Sequence, residues 1–202
     1  MSGVAGPGAR ACDPSPQARA PGQAGAVLVM PPAGREGLTA ALGPDSAQAV
    51  GELLLDRALG WAASASAAEP LRAELGETLA AAAQRAFAAC GDAPLLIAWP
   101  DLPVWRDAHR TGPLSDLAEG CGVTVGPVFD GGFYLMALAA PIPGLLELAA
   151  GADAMNQALL AAHAAGLDVG LLRPERGLRG EADIAAALAD PLLDGELRGV
   201  LS

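Results

Sequence analysis

At residues 95–103 the chain reads Leu95-Leu96-Ile97-Ala98-Trp99-Pro100-Asp101-Leu102-Pro103. Five apolar residues without a polar interruption, followed by an aspartate between prolines, predict a short strand that ends in a turn. A second run of five apolar residues, at 26–30, stops at Pro31 and Pro32. Strands buried on both faces occur mainly in parallel sheets that helices cover. The two runs therefore favour an α/β fold.

Helical periodicity between the apolar runs supports the same fold class. Apolar residues recur at helical spacing after residue 44 and across residues 75–90, and shorter helices are predicted at 113–119, 153–165 and 181–188. Further strands are predicted at 123–125, 133–138 and 169–172. Since strands alternate with helices, the sequence predicts an α/β domain of three layers, with a mostly parallel sheet and helices on both faces.

The residues before the first strand differ in composition from the rest of the chain. Residues 1–25 mix proline, glycine and alanine without any periodicity, so we expect a flexible tail there. Residues 26–202 are then predicted to form a single α/β domain, because that length is sufficient to bury a sizeable core.

Charge and composition exclude several classes of function. The chain has 12 arginines, no lysine, 23 acidic residues and a net charge of −11, which argues against binding to nucleic acid or to an anionic membrane surface. A chain without lysine has neither a Schiff-base lysine nor a P-loop lysine. The three cysteines share no ligand-like spacing, and no segment has the 18 uncharged apolar residues of a membrane span. We therefore expect a soluble, cytoplasmic protein with reduced thiols.

Three loops are predicted to lie beyond the carboxyl ends of strands, where α/β proteins bind their ligands. In the loop at residues 31–37, Gly34 and Gly37 would let backbone amides approach an anion, and Arg35 is a candidate phosphate clamp. The same residues are also typical of an ordinary surface loop that binds no ligand.

The other two loops, at residues 100–103 and 126–132, each deliver an acid. Asp101 follows an apolar strand and could hold a hard divalent cation, or it could cap its own turn. Asp130 stands before Gly131 and Gly132, where it could orient an acceptor hydroxyl or ligate a metal, although a hairpin turn explains the same residues.

Two of these loops resemble a known superfamily. Residues 95–103 resemble the strand and Asp-Leu-Pro turn of the nucleotide-diphospho-sugar transferases, which have a GT-A-like fold. A longer stretch resembles the GP-x-x-DGG-Y-Y-L signature of bacterial glycosyltransferase-like proteins often labelled rSAM/selenodomain-associated transferases; here it reads Gly126-Pro127-Val128-Phe129-Asp130-Gly131-Gly132-Phe133-Tyr134-Leu135. The resemblance covers roughly residues 26–188.

The resemblance implies a GT-A or Rossmann-like domain that acts as a metal-assisted transferase on a nucleotide or nucleotide-sugar. Carried over position by position, it implies that Asp101 holds Mg²⁺ or Mn²⁺ and that Asp130 faces an unidentified acceptor. The phosphate-binding positions would be Gly34, Arg35, Gly37 and Thr39.

Several positions depart from the family pattern, and they keep two alternatives open. The basic loop Lys-Thr-Arg is here Leu38-Thr39-Ala40, the metal-side motif keeps one acid, and the family's Asp-Val-Asp run is replaced by Gly177-Leu178-Arg179. Residues 61–75 are short for the strand and helix that relatives place there, so the amino-terminal half is predicted to be reduced. The alternatives are a catalytically degenerate binding or scaffold protein, and a guanylyltransferase-like nucleotidyltransferase that shares the Asp-Leu-Pro turn.

Overall fold

A computed structural model describes residues 24–32, 34–66, 68–148 and 153–202. Most of the predicted tail, together with Cys12 and Ala33, lies outside the described residues. The described part contains six strands, which are β1 (Ala26–Val29), β2 (Leu71–Arg72), β3 (Leu95–Ala98), β4 (Val123–Pro127), β5 (Phe133–Leu138) and β6 (Val169–Leu171). Its eight helices are α1 (Glu36–Leu42), α2 (Pro44–Ala65), α3 (Leu79–Cys90), α4 (Ala108–Ala118), α5 (Pro143–Leu146), α6 (Ala154–Ala164), α7 (Glu181–Ala189) and α8 (Gly195–Leu201).

The six strands form one mixed sheet in the order β2-β1-β3-β5-β4-β6. Strand β1 pairs in parallel with β2 and β3, and β4 pairs in parallel with β6. Strand β5 is antiparallel to both of its neighbours, β3 and β4, so the other five strands share one direction. The predicted α/β fold with a mostly parallel sheet is confirmed.

Helices cover both faces of this sheet, as the three-layer prediction requires. Alternate strand residues point to opposite faces, so Leu28 and Ile97 pack in a cluster with α3, α5 and α6, whereas Val27 and Leu96 pack with α2 and α4. A third apolar cluster joins α1, α2, α7 and α8 beside the sheet, and Leu54 and Leu197 are among its buried members.

Several element boundaries differ from the sequence predictions for local reasons. The loop predicted at residues 31–37 gives way to α1 at Glu36, and α4 begins at Ala108 and includes Pro113. Helix α3 begins at Leu79, later than predicted, because the Thr78 hydroxyl accepts a hydrogen bond from the Ala81 N–H at 3.2 Å and caps the helix there.

Three short helices, α1, α5 and α8, were not predicted, because each has fewer than two full turns of periodic pattern. Between α2 and α3 the described residues contain just the two-residue strand β2. Across the described ranges, no helix is both long enough and apolar enough to cross a bilayer.

Candidate functional site

Connecting segments from across the sequence meet at the carboxyl edge of the sheet. The segment between β6 and α7 is central, because it touches the ends of two other strands. Its Leu178 N–H donates to the Asp101 carbonyl, beyond β3, at 2.7 Å, and its Glu175 forms a bridge with Val128, beyond β4. The Asp130-Gly131-Gly132 turn lies at the same edge because it joins β4 to the antiparallel β5.

Arg179 bridges the two acids that the sequence singled out. Its Nε and Nη2 both donate to Oδ2 of Asp101, at 3.0 and 2.6 Å, and its Nη1 donates to Oδ2 of Asp130 at 2.7 Å. The Asp101 side chain is 8% exposed and that of Asp130 is 51% exposed. The structure thus joins a buried carboxylate and a half-exposed one through a single guanidinium.

Burial and neighbouring charges shift the pKa values of Asp101 and Arg179 in opposite directions. Burial raises the pKa of the Asp101 carboxyl, the guanidinium of Arg179 pulls that pKa down, and the nearby charge of Asp130 pushes it up again. Burial disfavours the charge of Arg179, but its contacts with Asp101 and Asp130 outweigh burial and raise its pKa. The positive charge of Arg179 is therefore what allows two carboxylates to face one another here.

The position of Arg179 is fixed by its surroundings. Gly37 lies so close to the Arg179 carbonyl that a Cβ would overlap it, and a Cβ on Gly132 would lie 3.2 Å from Nη1. Behind the guanidinium, Oδ2 of Asp183 accepts hydrogen bonds from the backbone N–H groups of Arg179 and Gly180, at 3.1 and 3.2 Å. Small neighbours and backbone anchors together hold the guanidinium between the acids.

These side chains do not fit a divalent cation held by protein ligands. Among the described residues, no group of three or more histidine, cysteine, aspartate or glutamate side chains is placed to hold a metal. Oδ2 of Asp101 accepts two hydrogen bonds from Arg179. The Mg²⁺ or Mn²⁺ expected at Asp101 stays a prediction, and this donor set gives it no support.

A cavity of about 640 Å³ opens at the ends of β1 and β2, and Asp101, Asp130 and Arg179 do not line it. Residues after β1, the first half of α2 and the residues after β2 line it, and Arg35 and Arg72 bring two guanidinium groups to its wall. The guanidinium of Arg35 lies against Gly51 of α2, where a Cβ would overlap it. Its Nε is buried and has no hydrogen-bond partner among the described residues.

The predicted phosphate-binding residues have different surroundings in the structure. Gly34 has a φ of +67°, a conformation that favours glycine, and open space around its Cα. Arg35 lines the cavity, and its charge acts on Asp101. Gly37 packs against the Arg179 carbonyl, while Thr39 is exposed on α1. The structure therefore brings Arg35 and Asp101 within electrostatic range and places Thr39 on the outer surface of its helix.

A buried aromatic cluster supports the site from one face of the sheet. The rings of Trp61 and Trp105 stack with centroids 4.4 Å apart, and His109 lies 5.1 Å from the ring of Tyr134. Nδ1 of His109 accepts a hydrogen bond from the Arg106 N–H at 3.2 Å, and burial lowers the pKa of His109. This cluster packs the loop after β3 onto the sheet.

The central role of Arg179 was not predicted from the sequence. In the sequence this residue is a departure from the family pattern, in the stretch where an acid was expected. A basic residue in a stretch where the family pattern has acids is a signal for an ion pair with a carboxylate of the site, and that signal could have indicated this contact. The hydrogen bond from Arg179 to Asp183 has no comparable signal, since it depends on the backbone path before α7.

Comparisons with known proteins give a family and a structural neighbour. A family model described as "Uncharacterized protein conserved in bacteria (DUF2064)" matches residues 35–150, which is more than half of the chain. A crystal structure described as a "putative nucleotide-diphospho-sugar transferase" from Desulfovibrio desulfuricans G20 superposes with a TM-score of 0.68 and 16% sequence identity, over 89% of this chain and 94% of that one. At this identity the likeness shows the fold alone. No curated protein matches the sequence.

Proposed function

Because the chain belongs to the bacterial family DUF2064 and shares the fold of a nucleotide-sugar transferase-like protein, we propose that it binds a nucleotide-sugar at the carboxyl edge of its sheet and transfers the sugar. The observation that carries this proposal is Arg35, which lines a cavity at that edge and whose guanidinium has no acceptor among the described residues. An unpaired guanidinium beside a cavity is a ready anion-binding group.

A survey of the arginines shows how unusual Arg35 is. Ten of the twelve lie in the described ranges, and seven of those ten donate a hydrogen bond or form an ion pair through the side chain. The three without a described acceptor are Arg35, Arg72 and Arg173. Two of these three, Arg35 and Arg72, line the same cavity. Two of the three unpaired guanidinium groups of the described chain therefore lie where the fold class binds its ligands, in a cavity that Glu52 and Glu74 also line.

The cavity has a size and a lining that suit a nucleoside diphosphate. Its volume of about 640 Å³ lies within the range of small-molecule sites. In the proposal, Arg35 and Arg72 contact the two phosphates, and Leu55 provides an apolar contact for the base. Gln48 and Glu52, which form a hydrogen bond of 2.9 Å with each other, offer polar partners to the ribose or base.

Asp130 is the proposed acceptor-facing group because half of its side chain is exposed and Arg179 fixes one of its oxygens. In the transfer step an acceptor hydroxyl oxygen bonds to the sugar carbon while the bond from that carbon to the diphosphate oxygen breaks. The diphosphate leaves with the bonding electrons, and the hydroxyl proton passes to the carboxylate of Asp130. The arginines of the cavity would hold the leaving diphosphate.

The test is isothermal titration of the full chain with a panel of uridine, guanosine, adenosine and thymidine diphosphates and their sugar conjugates. At least one should bind, and Arg35→Gln should weaken that affinity about tenfold or more through loss of the charged phosphate contact. Arg173→Gln is the matched control, because it removes another unpaired guanidinium, two residues beyond the opposite edge strand β6. Absence of heat across the whole panel, or equal losses in both variants, would refute the proposal.

A binding protein without turnover is the second candidate, and one observation favours it. Arg179 engages both acids of the edge, so neither carboxylate is free of a cation. Detection of released diphosphate or of a sugar-modified acceptor distinguishes the two candidates. Turnover that Asp130→Asn abolishes supports the transferase, whereas tight binding without any product supports the second candidate.

A further inference from the structure

The charges of two facing aspartates at the carboxyl edge of the sheet are balanced by an arginine of the chain itself. Asp101 and Asp130 come from separate connections, and the guanidinium of Arg179 lies between them with bonds of 2.6 Å to one and 2.7 Å to the other. Arginine cannot be deprotonated in a protein at ordinary pH, so this charge is permanent. The position between two facing carboxylates is where a divalent cation would otherwise be bound.

The guanidinium keeps capacity for a further partner. Three of its five N–H donors point to Asp101 and Asp130, which leaves two. The side chain as a whole is 27% exposed, so Arg179 is not sealed from solvent by its two acids. A phosphate oxygen is the type of acceptor that a guanidinium binds best.

Close neighbours and backbone hydrogen bonds hold the side chain of Arg179 in its position. Gly132 and Gly177 face the guanidinium, and a Cβ on them would come within 3.2 Å of Nη1 and 3.5 Å of Nε respectively. The backbone on either side is tied to Asp183 and, through Leu178, to the carbonyl of Asp101. A side chain held in this way would bind a phosphate with little reorganisation.

We infer that Arg179 takes the place of a divalent cation at this edge, so that the site accepts the diphosphate of its ligand without metal. This inference rests on the proposed function for the identity of the ligand. The role of Arg179 at the cation position concerns the residues of the chain alone and does not depend on any nucleotide. The role of Arg179 and the proposed function can therefore be tested separately.

The decisive experiment measures Mn²⁺ binding to the full chain by electron paramagnetic resonance, with no nucleotide present. The unmodified chain should bind no stoichiometric Mn²⁺. Arg179→Asp places a third carboxylate beside Asp101 and Asp130 and should raise Mn²⁺ affinity about tenfold or more. Adding Asp101→Asn to that variant should remove the gain, and Arg173→Asp, which makes the same charge change elsewhere, should produce none.

A second measurement keeps the inference testable if Arg179→Asp fails to fold, which circular dichroism would reveal. Arg179→Gln keeps a polar side chain of similar reach, removes the charge, and should still raise Mn²⁺ affinity. Each uridine, guanosine, adenosine or thymidine diphosphate that binds the unmodified chain should do so with the same affinity in EDTA as in Mn²⁺. Stoichiometric Mn²⁺ on the unmodified chain that Asp101→Asn abolishes, or a nucleotide affinity that Mn²⁺ raises about tenfold, would overturn the inference. If the variants bind Mn²⁺ as expected but no nucleotide binds the unmodified chain, the result would count against the proposed function alone.

Discussion

The guanidinium of Arg179 donates two hydrogen bonds to a single oxygen of Asp101 that lies 78 positions earlier in the chain. The contact joins the end of β3 to the segment before α7, so it serves both the charge balance of the site and the tertiary structure. Because the whole Asp101 residue is 6% exposed, loss of Arg179 would leave a buried carboxylate without a compensating positive charge.

Removing either partner of this pair should therefore destabilise the protein, and removing both should cost less than the sum. We expect Arg179→Gln to lower the free energy of unfolding by about 3 kcal/mol, because it leaves Asp101 buried and unpaired. In a double-mutant cycle with Asp101→Asn, the coupling energy should be about 1–3 kcal/mol. Urea unfolding of the four proteins measures it.

The control for this cycle is Asp92→Asn, which removes an exposed acid at the opposite end of β3. Paired with Arg179→Gln, it should show additive effects. Additivity of the Asp101 and Arg179 substitutions would contradict the assignment of a strong buried pair.

A pair of glycine substitutions in α2 tests the position of Arg35. A Cβ on Gly51 would overlap the Arg35 guanidinium, whereas the space around Gly60 is open. Since the overlapping group is the end of a flexible side chain, Gly51→Ala should displace Arg35 and weaken nucleotide binding about tenfold with little loss of stability. Gly60→Ala should leave binding unchanged and stabilise the helix by about 0.5–1 kcal/mol. Nucleotide titration and urea unfolding give the two quantities, and unchanged binding in Gly51→Ala would show that Arg35 does not contact the ligand.

The sequence predicted the fold well because the relevant signals are local. The apolar runs at β1 and β3, the alternation of strands with helices, and the Asp130-Gly131-Gly132 turn are all visible within short windows. Helix α8 was missed because its seven residues depend on packing of Leu197 against α2 and on the Asp194 cap. Short elements of this kind gain their stability from tertiary contacts and not from a periodic pattern.

The site was predicted in part, for a related reason. Placement of Asp101 and Asp130 at one edge follows from the strand order, because parallel strands end at the same edge. The partner of these acids could not be derived in the same way. Arg179 reaches them only because the long connection after β6 crosses the ends of β3 and β4, and no local pattern encodes that path.

His109 should make the protein sensitive to mild acid. Burial lowers its pKa below the ordinary value of 6.5, so the folded state binds fewer protons than the unfolded state just below that pH. The contribution of His109 to stability is therefore complete above about pH 6.5 and is lost as the pH falls from there toward the lowered pKa. Urea unfolding at about pH 7.5 and about pH 5.5 should show a loss of stability that His109→Asn reduces.

The control for this pH effect is the other histidine of the chain. His163 is exposed on α6, and His163→Asn should leave the loss between the two pH values unchanged. An equal loss in the unmodified chain and in His109→Asn would show that other groups cause it.

The ion pair between Arg57 and Asp194 should affect stability at a lower pH than His109 does. The group that titrates here is a carboxyl, whose charged form stabilises the folded state. Hydrogen bonding to Arg57 lowers the pKa of Asp194 from 3.8 to about 2, and its bond of 3.0 Å from the Leu197 N–H adds to the effect and caps α8. The lowered pKa stabilises the folded state above about pH 4, and this stabilisation is lost as the pH falls from about 4 to about 2. Because the Asp194 side chain is 47% exposed, solvent screening limits the effect to about 1 kcal/mol or less.

Asp194→Asn isolates the charge, since asparagine is also a good helix cap and retains the bond to the Leu197 N–H. Between about pH 5 and about pH 2.5 this variant should lose less stability than the unmodified chain, as measured by urea unfolding. Asp56→Asn, which alters an exposed acid on α2, should lose as much as the unmodified chain. Identical losses in all three proteins would mean that the ion pair does not anchor α8, and that the buried face of Leu197 and Leu201 alone holds this helix against α2.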